Sequence, residues 1–240
     1  HWPIYTLTPT KSASVGSVVY LHGGGWVNEI VSQQWHLAAQ IAAESSTVVT
    51  VPIYPLVPFG TSERVTKRVV VIAEANRDLH GSLALVGDSA GGQIALSAAM
   101  AMRDKGVTLS ATVLISPAVD LTFTNPRIPE VQPTDPWLAV PGGQVLAKLW
   151  SGTRELTDPV VSPLFGDFAG LGPLTVFSGT RDILNPDARL LVGKAEASGV
   201  EVSYTETPGQ LHVYPLLPTA VGASARRDIV AGIATALRAP

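Results

Sequence analysis

The chain contains no cysteine, and that absence removes disulfide bonds, thiolate zinc sites and a cysteine nucleophile together. It also removes the usual redox clue to compartment. Charge is sparse. Asp, Glu, Lys and Arg make up 15% of the 240 residues, and the net charge is −3. The basic residues are scattered, so nothing electrostatic points to nucleic acid. Apolar residues reach 46%, yet no run approaches the roughly 18 needed to span a bilayer. The opening His1-Trp2-Pro3 has neither the charged nor the apolar stretch of a signal peptide and does not begin with Met. Localisation is therefore open, with the cytoplasm as the default.

What is present is chain enough for one α/β domain, residues 1–240, with a full core. Apolar or β-branched runs at residues 4–8, 18–21, 47–53, 83–86, 111–115, 174–177 and 200–205 read as strands. Between and after them, residues 33–45, 61–79, 93–103, 186–197 and 224–238 read as helices. This alternation predicts an α/β fold: a mostly parallel, doubly wound sheet with helices on both faces. The rhythm breaks over residues 118–168, a stretch punctuated by Pro126, Pro129, Pro133, Pro136 and Pro141 with one short helix near residues 142–150. An insertion after a strand overhangs the crevice at the sheet's carboxyl edge, so this reads as a small cap or lid.

Two glycine-rich turns carry chemistry. The strand ending at Val86 runs into Gly87-Asp88-Ser89-Ala90-Gly91-Gly92, a G-x-S-x-G turn that leads into a helix. The strand ending at Leu21 runs into His22-Gly23-Gly24-Gly25-Trp26. That loop lacks the Lys of a phosphate loop and fails the dinucleotide pattern, but it fits the oxyanion loop of lipases and esterases. A serine hydroxyl needs an adjacent base, and the base needs an orienting acid. Among the five histidines, His1 is terminal, His36 lies in a helix and His80 precedes the elbow strand on the far edge. His22 suits anchoring the glycine loop. His212 follows the last strand at the same sheet edge as Ser89. Asp182 sits directly after a strand at that edge, whereas Asp187 caps or enters the next helix and Asp158 belongs to the insertion. Ser89, Asp182 and His212 occur in the chain order of α/β-hydrolases.

With these residues in hand, the chain resembles the hormone-sensitive-lipase branch of the α/β-hydrolases over nearly its whole length. The resemblance rests on His22-Gly-Gly-Gly-Trp26, Tyr54-Pro-Leu-Val-Pro58, Gly87-Asp-Ser-Ala-Gly-Gly92, Asp158-Pro-Val-Val-Ser-Pro-Leu164 and Gly179-Thr-Arg-Asp-Ile-Leu184. It implies an eight-stranded, mostly parallel sheet, a helical cap and ester hydrolysis without a cofactor or metal. It also implies Ser89 as nucleophile, Asp182 as acid and His212 as base, with the N–H groups of Gly23, Gly24 and Ala90 as oxyanion donors. The chain departs from the family at His212-Val-Tyr, at Pro55 and Phe59, and at Gln93, positions that bear on substrate and subfamily.

Family members usually carry several dozen more residues ahead of the glycine-loop strand. On that comparison the first strand and half the cap are absent. Trp137, Leu138, Leu146, Leu149 and Trp150 then lack packing partners, which predicts either an open pocket under a mobile lid or a homodimer. The expected partner is a small ester with a short acyl chain. Two other readings stand beside it: a non-catalytic ligand-binding relative, and an amidase or peptidase on the same fold.

Overall fold

The computed structural model describes residues 2–10 and 13–239, so His1 lies outside the described residues. Seven strands form one sheet: β1 (Ile4–Leu7), β2 (Ser17–Leu21), β3 (Val48–Pro52), β4 (Leu83–Asp88), β5 (Ala111–Ile115), β6 (Leu174–Gly179) and β7 (Val202–Thr207). Their order is β1-β3-β2-β4-β5-β6-β7. Only β1 runs antiparallel, along β3; every other pair is parallel. The expected count of eight is thus corrected to seven among the described residues, and β1 is the antiparallel edge.

Strands β2 to β5 are buried at every position, as uninterrupted apolar runs in a covered parallel sheet must be. Successive side chains still face opposite layers. Val19, Leu21 and Leu85 join one core with the helices α2 (Ser62–His80), α3 (Ala90–Asp104) and α6 (Asn185–Ala197). Val18, Tyr20 and Val86 join the other, with α1 (Ser32–Ser45) and α7 (Ala220–Arg238). At the edge, β7 alternates between exposed and half-buried positions.

Helix α3 starts at Ala90, three residues ahead of the sequence expectation, because Gly91 and Gly92 are helical. They are glycines for lack of room. A Cβ on Gly91 would overlap the Leu21 carbonyl, and one on Gly87 would overlap Gly91. Register places the ends of β2 and β4 side by side, with Leu21 opposite Gly87. The glycine loop therefore opens beside the elbow.

The insertion holds α4 (Ile128–Val131), α5 (Val140–Ser151) and short 3-10 turns. Its expected lack of packing partners is corrected in part. Trp150 is fully buried, stacks on Trp26 with ring centroids 5.7 Å apart, and donates its indole N–H to Gln93 Oε1 at 2.8 Å. Leu138 and Leu146 pack partly buried against the core, while Trp137 and Leu149 remain about half exposed.

Candidate active site

Ser89 sits between β4 and α3 at φ 53° and ψ −119°, a conformation that L-residues avoid and that persists only when its surroundings hold it. The hold is visible. Ser89 N–H donates to the Ile115 carbonyl at 2.8 Å, and the Ser89 carbonyl accepts from Gly92 at 3.0 Å and Ala118 at 3.1 Å. The hydroxyl then stands 2.9 Å from His212 Nε2, and His212 Nδ1 stands 2.8 Å from Asp182 Oδ2. The second oxygen of Asp182 accepts the Leu184 N–H at 2.9 Å.

Two loops bring Asp182 and His212 together. At the end of β6, Gly179 passes so close to Gln210 that a side chain there would strike the Gln210 backbone. Arg181 N–H donates to the Gln210 carbonyl at 3.0 Å, and Val213 N–H, one residue past the base, donates to Ser116 Oγ at 2.9 Å. Ser116 lies just beyond β5, so the His212 loop is fastened to the strand beside the elbow. Burial alone would push the His212 imidazole down. The Asp182 carboxylate, through its charge and its hydrogen bond, together with the charges of Asp135 and Asp88, outweighs burial and leaves the pKa raised.

His22 is engaged within its own loop. Its Nδ1 hydrogen goes to the Gly23 carbonyl at 2.7 Å, its ring stacks on Tyr54 at 4.4 Å, and the Tyr54 hydroxyl donates to the His22 carbonyl at 2.6 Å. Burial lowers its pKa, so it stays neutral and anchors the loop.

The buried Asp88 accepts from Tyr20 Oη at 2.7 Å and Gln34 Nε2 at 2.8 Å, and both hydrogen bonds, with the nearby Gly23 amide, favour its charged form. Burial nonetheless raises its pKa. Of the three amides expected to face an oxyanion, Gly23 lies against Asp88. Gly24 and Ala90 donate to no acceptor among the described residues, and Ala90 is the first residue of α3, where the N–H has no intrahelical partner.

Two cavities open onto Ser89. One, about 510 Å³, is walled by the glycine loop, Asn28, Glu29, Gln33, His212 and Leu217. The other, about 270 Å³, lies between α3 and the insertion and is walled by Trp26, Ala90, Ala118, Phe123, Gly143 and Leu184. Trp137, Leu138 and Leu146 border both. Among the described residues no cluster of His, Asp and Glu could hold a metal ion, and no helix is long and apolar enough to cross a membrane.

A family model described as the α/β hydrolase fold matches residues 18–216. The chain belongs to that family. This α/β hydrolase is 34% identical over 204 residues to a triacylglycerol lipase of Mycobacterium tuberculosis, covering 83% of the chain and 42% of that lipase. It therefore spans less than half the length of that relative. It is 29% identical over 210 residues to an acetyl-hydrolase of Streptomyces hygroscopicus, covering 84% of the chain and 70% of the relative. Among solved structures, an esterase of the bacterial hormone-sensitive lipase family superposes with a TM-score of 0.84 at 30% identity, covering 99% of this chain and 80% of that one. A hormone-sensitive lipase from a metagenome library superposes at 0.89 and 25% identity, covering 95% and 79%. These neighbours are the branch that the sequence resembles.

The fold brings Ser89, Asp182, His212, Gly24 and Ala90 to one crevice, and Gly23 lines it as well. Asp187 and Asp158 stay outside: Asp187 pairs with Asn125 at 2.7 Å, and Asp158 with Arg154. Three residues around the site escape the sequence reading of function. Asp88 reads there only as part of the elbow motif, Gln93 only as a departure from the family, and Asp135 is not singled out at all.

Proposed function

We propose that this α/β hydrolase is a serine carboxylesterase for short-chain acyl esters. The observation that supports it best is the hydrogen-bond relay Ser89–His212–Asp182, with donor–acceptor distances of 2.9 and 2.8 Å. Ser89 Oγ attacks the ester carbonyl while His212 Nε2 takes its proton. Asp182 holds the imidazole with Nδ1–H toward itself and favours its charged form. The carbonyl oxygen becomes an anion facing the amides of Gly24 and Ala90, with Gly23 beside them. His212 returns the proton to the departing alkoxide, leaving an acyl-Ser89. A water that gives its proton to His212 then attacks the acyl carbon, and His212 reprotonates Ser89 as the acid leaves.

This proton path assigns the cavities. The alcohol must leave beside His212 Nε2, so it occupies the larger cavity, where His212 is part of the wall. The acyl chain takes the smaller one, whose wall contains no charged residue. A chamber of about 270 Å³ supports a short acyl chain. A complete relay weighs against a non-catalytic binding protein.

The test is turnover of p-nitrophenyl acetate beside the corresponding anilide. Ser89→Ala should fold normally and lose on the order of 10⁶ in kcat, and a fluorophosphonate should label Ser89 alone. Labelling at another serine, or activity surviving in Ser89→Ala, refutes the mechanism. Faster turnover of the anilide would make the chain an amidase.

A further inference from the structure

We propose that Asp135 is a positioning residue for this reaction, a clasp that ties the wall shared by both cavities to the turn carrying the acid Asp182. The proposal rests on the triad reading above. Asp135 lies in the insertion and is only 9% exposed. Its Oδ1 accepts the backbone N–H groups of Trp137 at 2.9 Å and Leu138 at 3.0 Å. Its Oδ2 accepts the N–H of Ile183, 48 residues away, at 2.9 Å.

Each end of the clasp touches something functional. Trp137 and Leu138 border both cavities, and Ile183 is the neighbour of Asp182. One parallel contact joins the same two segments: Arg181 Nε donates to the Thr134 carbonyl at 3.2 Å. A carboxylate suits the task because it only accepts, and each oxygen can take two hydrogens in a fixed fork. A buried acceptor with three backbone donors cannot be removed without leaving those donors unpaired.

Asp135 also contributes charge. Three carboxylates act on the His212 imidazole: Asp182 from the β6 turn, Asp135 from the insertion and Asp88 from β4. Asp135 thus adds to the field that favours the imidazolium formed when Ser89 gives up its proton. Geometry and charge act through one side chain.

The experiment compares pH profiles of kcat/KM for wild type, Asp135→Asn and Asp135→Glu on p-nitrophenyl acetate. His212 works as a base only when neutral, so activity falls on the acid side through its pKa. Asn removes the charge and one acceptor. Its acid limb should move to lower pH by roughly half a unit, and kcat/KM should fall about tenfold to a hundredfold with a raised KM, because the cavity wall loosens. Glu keeps the charge and displaces the clasp, so its acid limb should stay near wild type while KM still rises. An unmoved limb and unchanged KM in a folded Asp135→Asn overturns the proposal. If Asp135→Asn does not fold, Asp135→Glu decides: wild-type KM there overturns it. Activity surviving in Ser89→Ala would instead remove the triad reading on which the clasp depends.

Discussion

At the scale of single residues, Asp182 and Asp187 stand five positions apart, both are buried, and only one touches the base. The difference follows from the turn after β6, which aims Asp182 across to the His212 loop and starts α6 with Asn185. Asp182→Asn should therefore cost about 10⁴ in kcat by disfavouring the productive tautomer of His212. Asp187→Asn and Asp158→Asn should each cost less than about tenfold, since neither meets a reacting group. Steady-state kinetics on the three variants checks this, and a worse loss in Asp187→Asn would refute it. The residues proposed to react could be named from the sequence because attack, proton transfer and oxyanion binding demand particular side chains at particular strand ends. Their supports could not. Asp88 meets a Tyr20 that lies 68 positions away, and Asp135 meets Ile183 across 48. Local pattern carries no trace of such partners.

At the scale of elements, the strands were found where apolar runs are unbroken, and the boundaries slipped where special packing decides. The glycines after Ser89 look like a loop in sequence, yet they form the first turn of α3, and they are glycine because Leu21 beside Gly91 and Pro117 beside Gly92 leave no room for a Cβ. The insertion was legible as a break in rhythm, but its internal packing was not. Gln93 shows why. Its Oε1 accepts from both Trp26 and Trp150, and its Nε2 donates to Ser97 Oγ and to the Val160 carbonyl. One amide on α3 thus seats the glycine loop and α5 together. The smaller cavity, proposed to take the acyl chain, is shaped by the same insertion. Phe123 lies in its wall with its ring so close to α5 that a Cβ on Gly143 would come within 2.6 Å of it. Phe123→Ala, or the milder Phe123→Leu, should extend the chamber. Across a series of p-nitrophenyl esters from acetyl to dodecanoyl, the optimum of kcat/KM should move to longer chains, with acetate changed little. If the variants alter the choice of alcohol instead, the two cavities have been assigned the wrong way round.

At the scale of the whole molecule, pH acts on folding through groups both at the site and away from it. Burial raises the Asp187 carboxyl from 3.8 to about 7, against the opposing hydrogen bond from Asn125, and the Asp120 charge adds to the rise. One of its oxygens has no partner. Between about pH 4 and 7 the folded chain then holds a proton there that the unfolded chain has released, so stability falls as pH rises through that interval. His212 acts in the same direction. Its raised pKa stabilises the fold below the ordinary histidine value, and that contribution is lost as pH rises through the folded one. Glu206 works the opposite way: hydrogen-bonded foremost by Arg189, it is held at about 2, and its contribution disappears only as pH falls toward that value. Glu206 is partly solvated, so its share is the weaker one. The balance of these groups places the highest Tm well on the acid side of neutrality, at about pH 4 to 5. Asp187→Asn removes the proton linkage and keeps the shape. Its Tm should exceed that of wild type at about pH 8, where wild type buries an uncompensated charge, and the gap should close as pH falls from about 7 to about 4. Thermal unfolding of both proteins across that range is the measurement. A gap that stays constant with pH would mean that Asp187 does not take up its proton near neutrality, and the decline in stability would then belong to His212 alone.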